Sequence, residues 1–189
     1  FKNMQQMKIL NNISCLLLLI IGVTSLRAQN ADCYTKKVYA AGPGSTLSIS
    51  NKYGDVSYIV NNDDSISVCA NVTIMQDNRE LARKSLSLIT VRIDKILDTV
   101  SVSTNFDRKF FSDTYRKGRK SFSVDILVKA PASVNADVTN EFGNISFEEL
   151  TGKINVRLSY GLLSAARLTR GNSSPINSIT VDNGKVNIN

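Results

Sequence analysis

Apolar and polar residues alternate with a period of two along most of this chain from residue 34 onward, the pattern of half-buried strands. Leu47 and Ile49 form one set; Val56, Tyr58 and Val60 a second; Ile66, Val68, Ala70, Val72 and Ile74 a third. The pattern returns at Ile89, Val91 and Ile93, at Val100 and Val102, at Phe122, Val124, Ile126 and Val128, and at Val134, Ala136 and Val138. Turn chemistry separates these runs at Ala41-Gly42-Pro43-Gly44, Asn61-Asn62-Asp63-Asp64 and Ala130-Pro131-Ala132. One segment breaks the period. Asp77 to Leu86, with Asp77 or Asn78 as N-cap before Glu-Leu-Ala-Arg-Lys, predicts a short helix. The fold class is therefore all-β, with longer strands and one short helix in the N-terminal half.

A small repeat adds to this picture. Gly54-Asp55-Val56-Ser57-Tyr58, Gly143-Asn144-Ile145-Ser146-Phe147, Gly152-Lys153-Ile154-Asn155-Val156, Gly161-Leu162-Leu163-Ser164-Ala165 and Gly184-Lys185-Val186-Asn187-Ile188 share glycine, any residue, an aliphatic, Ser or Asn, and an apolar residue. Asn51-Lys52-Tyr53 and Asn140-Glu141-Phe142 extend two copies upstream, and Tyr160 precedes Gly161. Glycine at a corner supplies either a positive φ or a close backbone approach, and the third and fifth residues point inward. From Gly143 through Gly152 to Gly161 the spacing is nine residues, so two units make a coil of about 18, within the solenoid range. This predicts a β-solenoid or β-helix-like stack of short glycine-punctuated strands. A β-sandwich whose hairpins carry glycine turns is the alternative.

The motifs Asn-Lys-Tyr-Gly-Asp-Val, Asn-Glu-Phe-Gly-Asn-Ile and Leu-Thr-Gly-Lys-Ile-Asn-Val resemble the bacterial putative-adhesin family related to autotransporter adhesin heads. The resemblance covers about residues 45 to 189 and implies an exported β-solenoid protein with no catalytic residues to carry over. It implies a surface or periplasmic binding module, with short coils over residues 133 to 189. The final strand, Lys185 to Asn189, has no cap, so a truncated C-terminus is expected.

The N-terminus changes how the charge is read. Residues 1 to 28 are expected to be a signal peptide, with Lys8 before an apolar run from Ile13 to Val23 and Ala28 at the cleavage position. That run is shorter than the ~20 residues of a membrane span. The chain opens on Phe1, so Met4 or Met7 is the expected start. The remaining 29 to 189 read as a single β-rich domain. The whole chain carries 23 basic and 16 acidic residues, a net +7, and losing Lys2, Lys8 and Arg27 leaves 20 against 16. The expected location is the periplasm, the outer-membrane surface or the medium. Export permits Cys33 and Cys69 to pair as a disulfide, tying the N-terminus to the sheet.

Composition limits the chemistry. The chain has no histidine, which excludes Ser-His-Asp and Cys-His hydrolases and His-dependent zinc sites. Glu148-Glu149 are strand neighbours facing opposite ways, unlike a glycosidase pair, and Asn61 to Asp64 lack calcium-loop spacing. No catalytic residue, metal ligand or cofactor is predicted. The one chemically distinctive segment is 106 to 120, with Arg108, Lys109, Phe110, Phe111, Tyr115, Arg116, Lys117, Arg119 and Lys120. It holds six bases and two acids, essentially the whole excess charge once residues 1 to 28 are gone. Such a hairpin suits an acidic glycan or other envelope polyanion better than a specific nucleic acid. Its plainer reading is a solvated connection whose aromatics cap the core. A protein partner bound at an edge strand is the second functional reading, and a polysaccharide-acting β-helix enzyme the third.

Overall fold

A computed structural model describes residues 29–170 and 175–189, with side chains from Tyr34 onward. The expected signal peptide lies outside the described residues. The strands are β1 (Gln29–Ala40), β2 (Thr46–Lys52), β3 (Val56–Val60), β4 (Ser65–Gln76), β5 (Ile89–Ile96), β6 (Thr99–Phe106) and β7 (Arg119–Ala130). They continue as β8 (Asn135–Glu141), β9 (Ile145–Leu150), β10 (Ile154–Ser159), β11 (Leu162–Leu168), β12 (Ser178–Asp182) and β13 (Lys185–Ile188). Helix α1 (Arg79–Leu86) follows β4, and a 3-10 turn (Arg108–Phe111) and the short α2 (Asp113–Arg116) join β6 to β7.

The strands form two mixed sheets. One runs β1-β4-β7-β3-β9-β11-β13 and the other β12-β10-β8-β2-β6-β5. Their inner faces share one apolar core, which takes the alternating residues read from the sequence, including Leu47, Ile66, Val100, Val124 and Ile145. The two sheets packed through one core fit the β-sandwich alternative. One unbroken coil stack is excluded, because β4 pairs antiparallel with β1 and β7, and β5 with β6. Within this frame the later strands pair parallel, β8 with β10 and β9 with β11, each offset by 18 residues. Consecutive strands such as β2–β3, β8–β9, β10–β11 and β12–β13 thus form two-stranded layers, one strand in each sheet.

Four side-chain and backbone columns hold these layers in register. The first is glycine. A Cβ at Gly143 would collide with the Gly54 carbonyl, one at Gly161 with the Gly143 carbonyl, and one at Gly184 with the Gly161 carbonyl. The glycines therefore serve close approach, and the positive φ falls on the residue before each. Tyr53, Phe142, Tyr160 and Asn183 sit at φ 61, 58, 58 and 53°. For a bulky residue this conformation costs about 1–3 kcal/mol.

The second column offsets that cost. The rings of Tyr53 and Phe142, and of Phe142 and Tyr160, stack with centroids 5.1 and 4.9 Å apart and planes within 5°, close to the ~4.8 Å strand spacing. The third column is polar and buried. Asn51 donates to the side-chain oxygen of Asn140 and to Val124 O, Asn140 donates to Gly54 O, and Thr104 donates to Asn51. The fourth links side chain to backbone. Asp125 accepts from the Asp55 N–H, Asp55 from Asn144 N–H, and Asn144 from Leu162 N–H.

The predicted helix is α1, with Asn78 as N-cap accepting from Glu80 and Leu81 N–H at 2.9 and 3.0 Å. It turns Ala82 and Ser85 inward and packs on β1 and β4. β1 itself does not announce itself by alternation, and it lies at a sheet edge. Its Lys37 and Tyr39 side chains donate to Ile93 O, and Lys95 donates to Ala40 O, so the β1 and β5 edges are cross-linked. Cys69 is a free thiol, hydrogen-bonded to the Tyr34 hydroxyl at 3.1 Å. The register sets Cys33 opposite Val72 and Cys69 opposite Lys36. That three-residue offset is about 10 Å along a strand, beyond disulfide reach. The expected Cys33–Cys69 bond is therefore not formed in this structure.

Replacing Gly143 with Ala should lower stability by about 1–3 kcal/mol, because the new methyl meets backbone that cannot rotate away. Asn140→Ala should cost about 1–3 kcal/mol by stranding its buried partners. Urea unfolding followed by far-UV circular dichroism measures both, and an unchanged midpoint would refute the corresponding column.

Candidate functional site

The 107–120 connection sits at the corner of the β6–β7 layer. In register, Phe106 takes the place that Tyr53 holds one layer away, and Thr104 the place of Asn51. What is a two- or three-residue glycine corner elsewhere is here enlarged into a 3-10 turn and α2. Asp107 caps the turn by accepting from Lys109 N–H at 2.8 Å. Gly118, at φ 73°, ends it, and its carbonyl accepts from Asp77 N–H.

Phe110 is wholly buried against Phe106, Phe111 and Phe122, with centroids 5.3, 5.0 and 4.9 Å away. Arg119 lies over the Phe110 and Phe122 rings at 4.0 and 4.9 Å and donates to Phe110 O. Burial, and secondarily Arg116, hold its guanidinium below the ordinary value. Gln76, buried at the end of β4, donates to Tyr115 O and Lys117 O and accepts from Ser85 of α1. Because β6 and β7 lie in different sheets, the segment is a connection between sheets and not the expected hairpin, and it is fastened to the body from beneath at Phe110, Arg119 and Gln76.

These placements divide the residues singled out in the sequence. Phe110 has no exposed surface to offer a ligand, and Arg119 is spent on the aromatic cluster. Arg116 pairs with Asp113 at 2.7 Å and Lys120 with Asp77 at 2.9 Å, both at the surface. Arg108, Lys109 and Lys117 are exposed and make no ion pair among the described residues. Phe111 is exposed and Tyr115 half-buried beside them. Asp113, Arg116 and Lys117 line an open recess of about 400 Å³. The arrangement can offer three unpaired cations and an aromatic surface on a fixed base.

The other candidates are structural. Glu148 accepts from Val60 N–H and Glu149 pairs with Arg167, so the two carboxylates do not converge. Asp63 and Asp64 accept through their backbone carbonyls from Ser65 and Ala41 N–H, closing turns. Gln76, Asn51, Thr104 and Asn140 were not distinguished by sequence from other strand polar residues; for Asn51 and Asn140 the repeated Asn-x-aromatic-Gly was the available signal. Among the described residues no helix is long and apolar enough to cross a membrane.

No protein-family model matches the chain, and no curated protein matches it. Among solved structures it is similar to a putative cell adhesion protein from Clostridium sporogenes, at 9% identity and TM-score 0.38, covering 82% of this chain and 99% of that one. It is similar to a putative adhesin from Bacteroides fragilis, at 9% identity and TM-score 0.30, over 83% and 97% of the two chains. A putative lipid binding protein from Parabacteroides distasonis matches at 7% identity and TM-score 0.26, over 86% of this chain and 63% of that one. Likeness at these scores assigns neither family nor function.

Proposed function

We propose that this chain is an exported binding module without catalytic machinery, which presents the outer side of the 107–120 connection to an anionic glycan or similar envelope polyanion. The observation that carries this reading is the set Arg108, Lys109 and Lys117, exposed and without acidic partners among the described residues, beside Phe111 on an anchored base. Cations left unpaired on a preorganised support keep their charge available, and guanidinium and ammonium groups match carboxylate or sulfate oxygens. In this reading the parallel layers from β8 onward act as a short β-solenoid, a stiff stalk for the connection. Removal of residues 1 to 28 as a signal peptide belongs to the same proposal, and mass spectrometry of the exported protein tests it at the Ala28–Gln29 bond.

The triple substitution Arg108→Ser, Lys109→Ser, Lys117→Ser should weaken binding to polygalacturonate roughly tenfold, at about 0.5 kcal/mol per lost contact. Binding by the unaltered chain should also fall as salt rises. Equal affinity of the two proteins by titration calorimetry, or salt-independent binding, would overturn the reading. Phe110→Ala should instead act on the fold, lowering stability by about 3–5 kcal/mol. Thermal unfolding separates that effect from a direct loss of contacts.

A further inference from the structure

The outer face of the seven-stranded sheet carries two adjoining recesses. Val56, Ala70, Val72 and Ile126 belong to the core, so alternation turns their strand neighbours outward. The pairing register lines those neighbours up across β1, β4, β7 and β3 in two rows: Tyr34, Asn71, Asp125 and Asp55, then Lys36, Cys69, Leu127 and Ser57. One recess, of about 350 Å³, is lined by Tyr34, Cys69, Asn71 and Leu127. The other, of about 340 Å³, is lined by Tyr53, Phe122 and Phe142. Asp55 and Asp125 line both, so the recesses meet at this pair. Each falls within the ~300–1,000 Å³ of small-molecule sites.

The far walls are apolar and the meeting point is polar. Tyr34 is 64% exposed, and its hydroxyl bonds to Cys69 Sγ at 3.1 Å, which holds the ring beside the recess. Phe142 is stacked between Tyr53 and Tyr160, so what it exposes is its ring edge, the electropositive part that favours oxygen atoms. Between these walls Asp125 accepts from the Asp55 N–H and the Ser123 hydroxyl, and Asp55 accepts from the Asn144 N–H. A carboxylate has about four acceptor sites. Both are therefore fixed in position by bonds to the strands, and both can take further donors. Neither makes an ion pair among the described residues.

These features narrow the ligand. No Lys or Arg lines either recess, so the carboxylates repel a uronate, sulfate or phosphate. An acyl chain would cover the rings but take water from the carboxylates without replacing it by donors. A simple amine would satisfy the carboxylates and leave the rings in water. A pyranose meets both demands, with C–H surface for the rings and hydroxyl donors for the acceptors. We infer that the two recesses bind an uncharged oligosaccharide, its sugar rings against Tyr34 and the Phe142 edge and its hydroxyls donating to Asp55 and Asp125. This site is separate from the cationic surface of the 107–120 connection, and the two take glycans of different charge.

Cellohexaose, maltohexaose and N-acetylchitohexaose are each titrated into the full chain by calorimetry. At least one should bind with an affinity independent of salt, and should slow alkylation of Cys69 by iodoacetamide, followed by peptide mass spectrometry, because Cys69 lines the recess. Tyr34→Ala should weaken that binding roughly tenfold, while circular dichroism and polygalacturonate binding stay unchanged. Phe142→Asn should weaken it too, and Asn suits that corner, since Asn183 holds the equivalent place at φ 53°. The chain with Arg108→Ser, Lys109→Ser and Lys117→Ser should bind the neutral hexamer as the unaltered chain does, which separates this site from the cationic one. Three outcomes overturn the proposal: no binding by any of the three sugars, binding that leaves Cys69 alkylation or the Tyr34→Ala affinity unchanged, and tighter binding of the glucosamine hexamer, whose amines are charged.

Discussion

Everything in this molecule turns on how closely one backbone corner can lie on another. At Gly54, Gly143, Gly161 and Gly184 the peptide passes so near the carbonyl behind it that no side chain fits. That approach sets the layer spacing, and the spacing makes the remaining columns possible. Tyr53, Phe142 and Tyr160 can stack only because their backbones are held one strand apart. Asn51 reaches both Asn140 and Val124 for the same reason. The strain of three aromatic residues at positive φ is tolerated because stacking and hydrogen bonds fix the corner from several sides.

The same corner explains where the layers can take on extra surface. A corner of minimum length has no room for side chains beyond the columns. Lengthening it between β6 and β7 adds a surface without disturbing the strands, since Phe106 and Thr104 still occupy their column places. The insertion then needs its own foundation. Phe110, Phe122 and Arg119 provide an apolar one, and Gln76 a polar one shared with α1. Tyr58 shows a related device within the core: its ring is buried, its hydroxyl donates to Pro131 O at 2.6 Å, and burial pushes its pKa up.

Local pattern was legible in the sequence, and long-range partnership was not. Alternation located the inner faces of β2 to β8, Asp77 or Asn78 marked the start of α1, with Asn78 the cap in the structure, and glycine with its preceding aromatic marked the corners. The inward third and fifth positions hold at Val56 and Tyr58, Ile145 and Phe147, Ile154 and Val156, and Leu163 and Ala165. What the repeat could not show is that β4 and β5 reverse direction, because strand direction depends on the connection rather than on the face pattern. β1 escaped because an edge strand tied by side-chain bonds needs no alternation. Between β6 and β7, charge and aromatic content pointed to the segment, but not to which members face inward. Phe110 and Phe111 are neighbours with opposite fates, and only the position of Phe122 and Arg119 beneath them decides it.

One consequence lies in time rather than in space. The β10–β11 layer meets β8–β9 across an 18-residue separation, whereas β2–β3 meets β8–β9 across 89. By loop-closure entropy alone the longer contact costs about 1.4 kcal/mol more to bring together, and contacts of that range slow folding. Chain order and spatial order therefore disagree at one place. The layers beyond β8 can assemble on one another as they are made. The seam between β3 and β9 has to wait for the whole of β4 to β7.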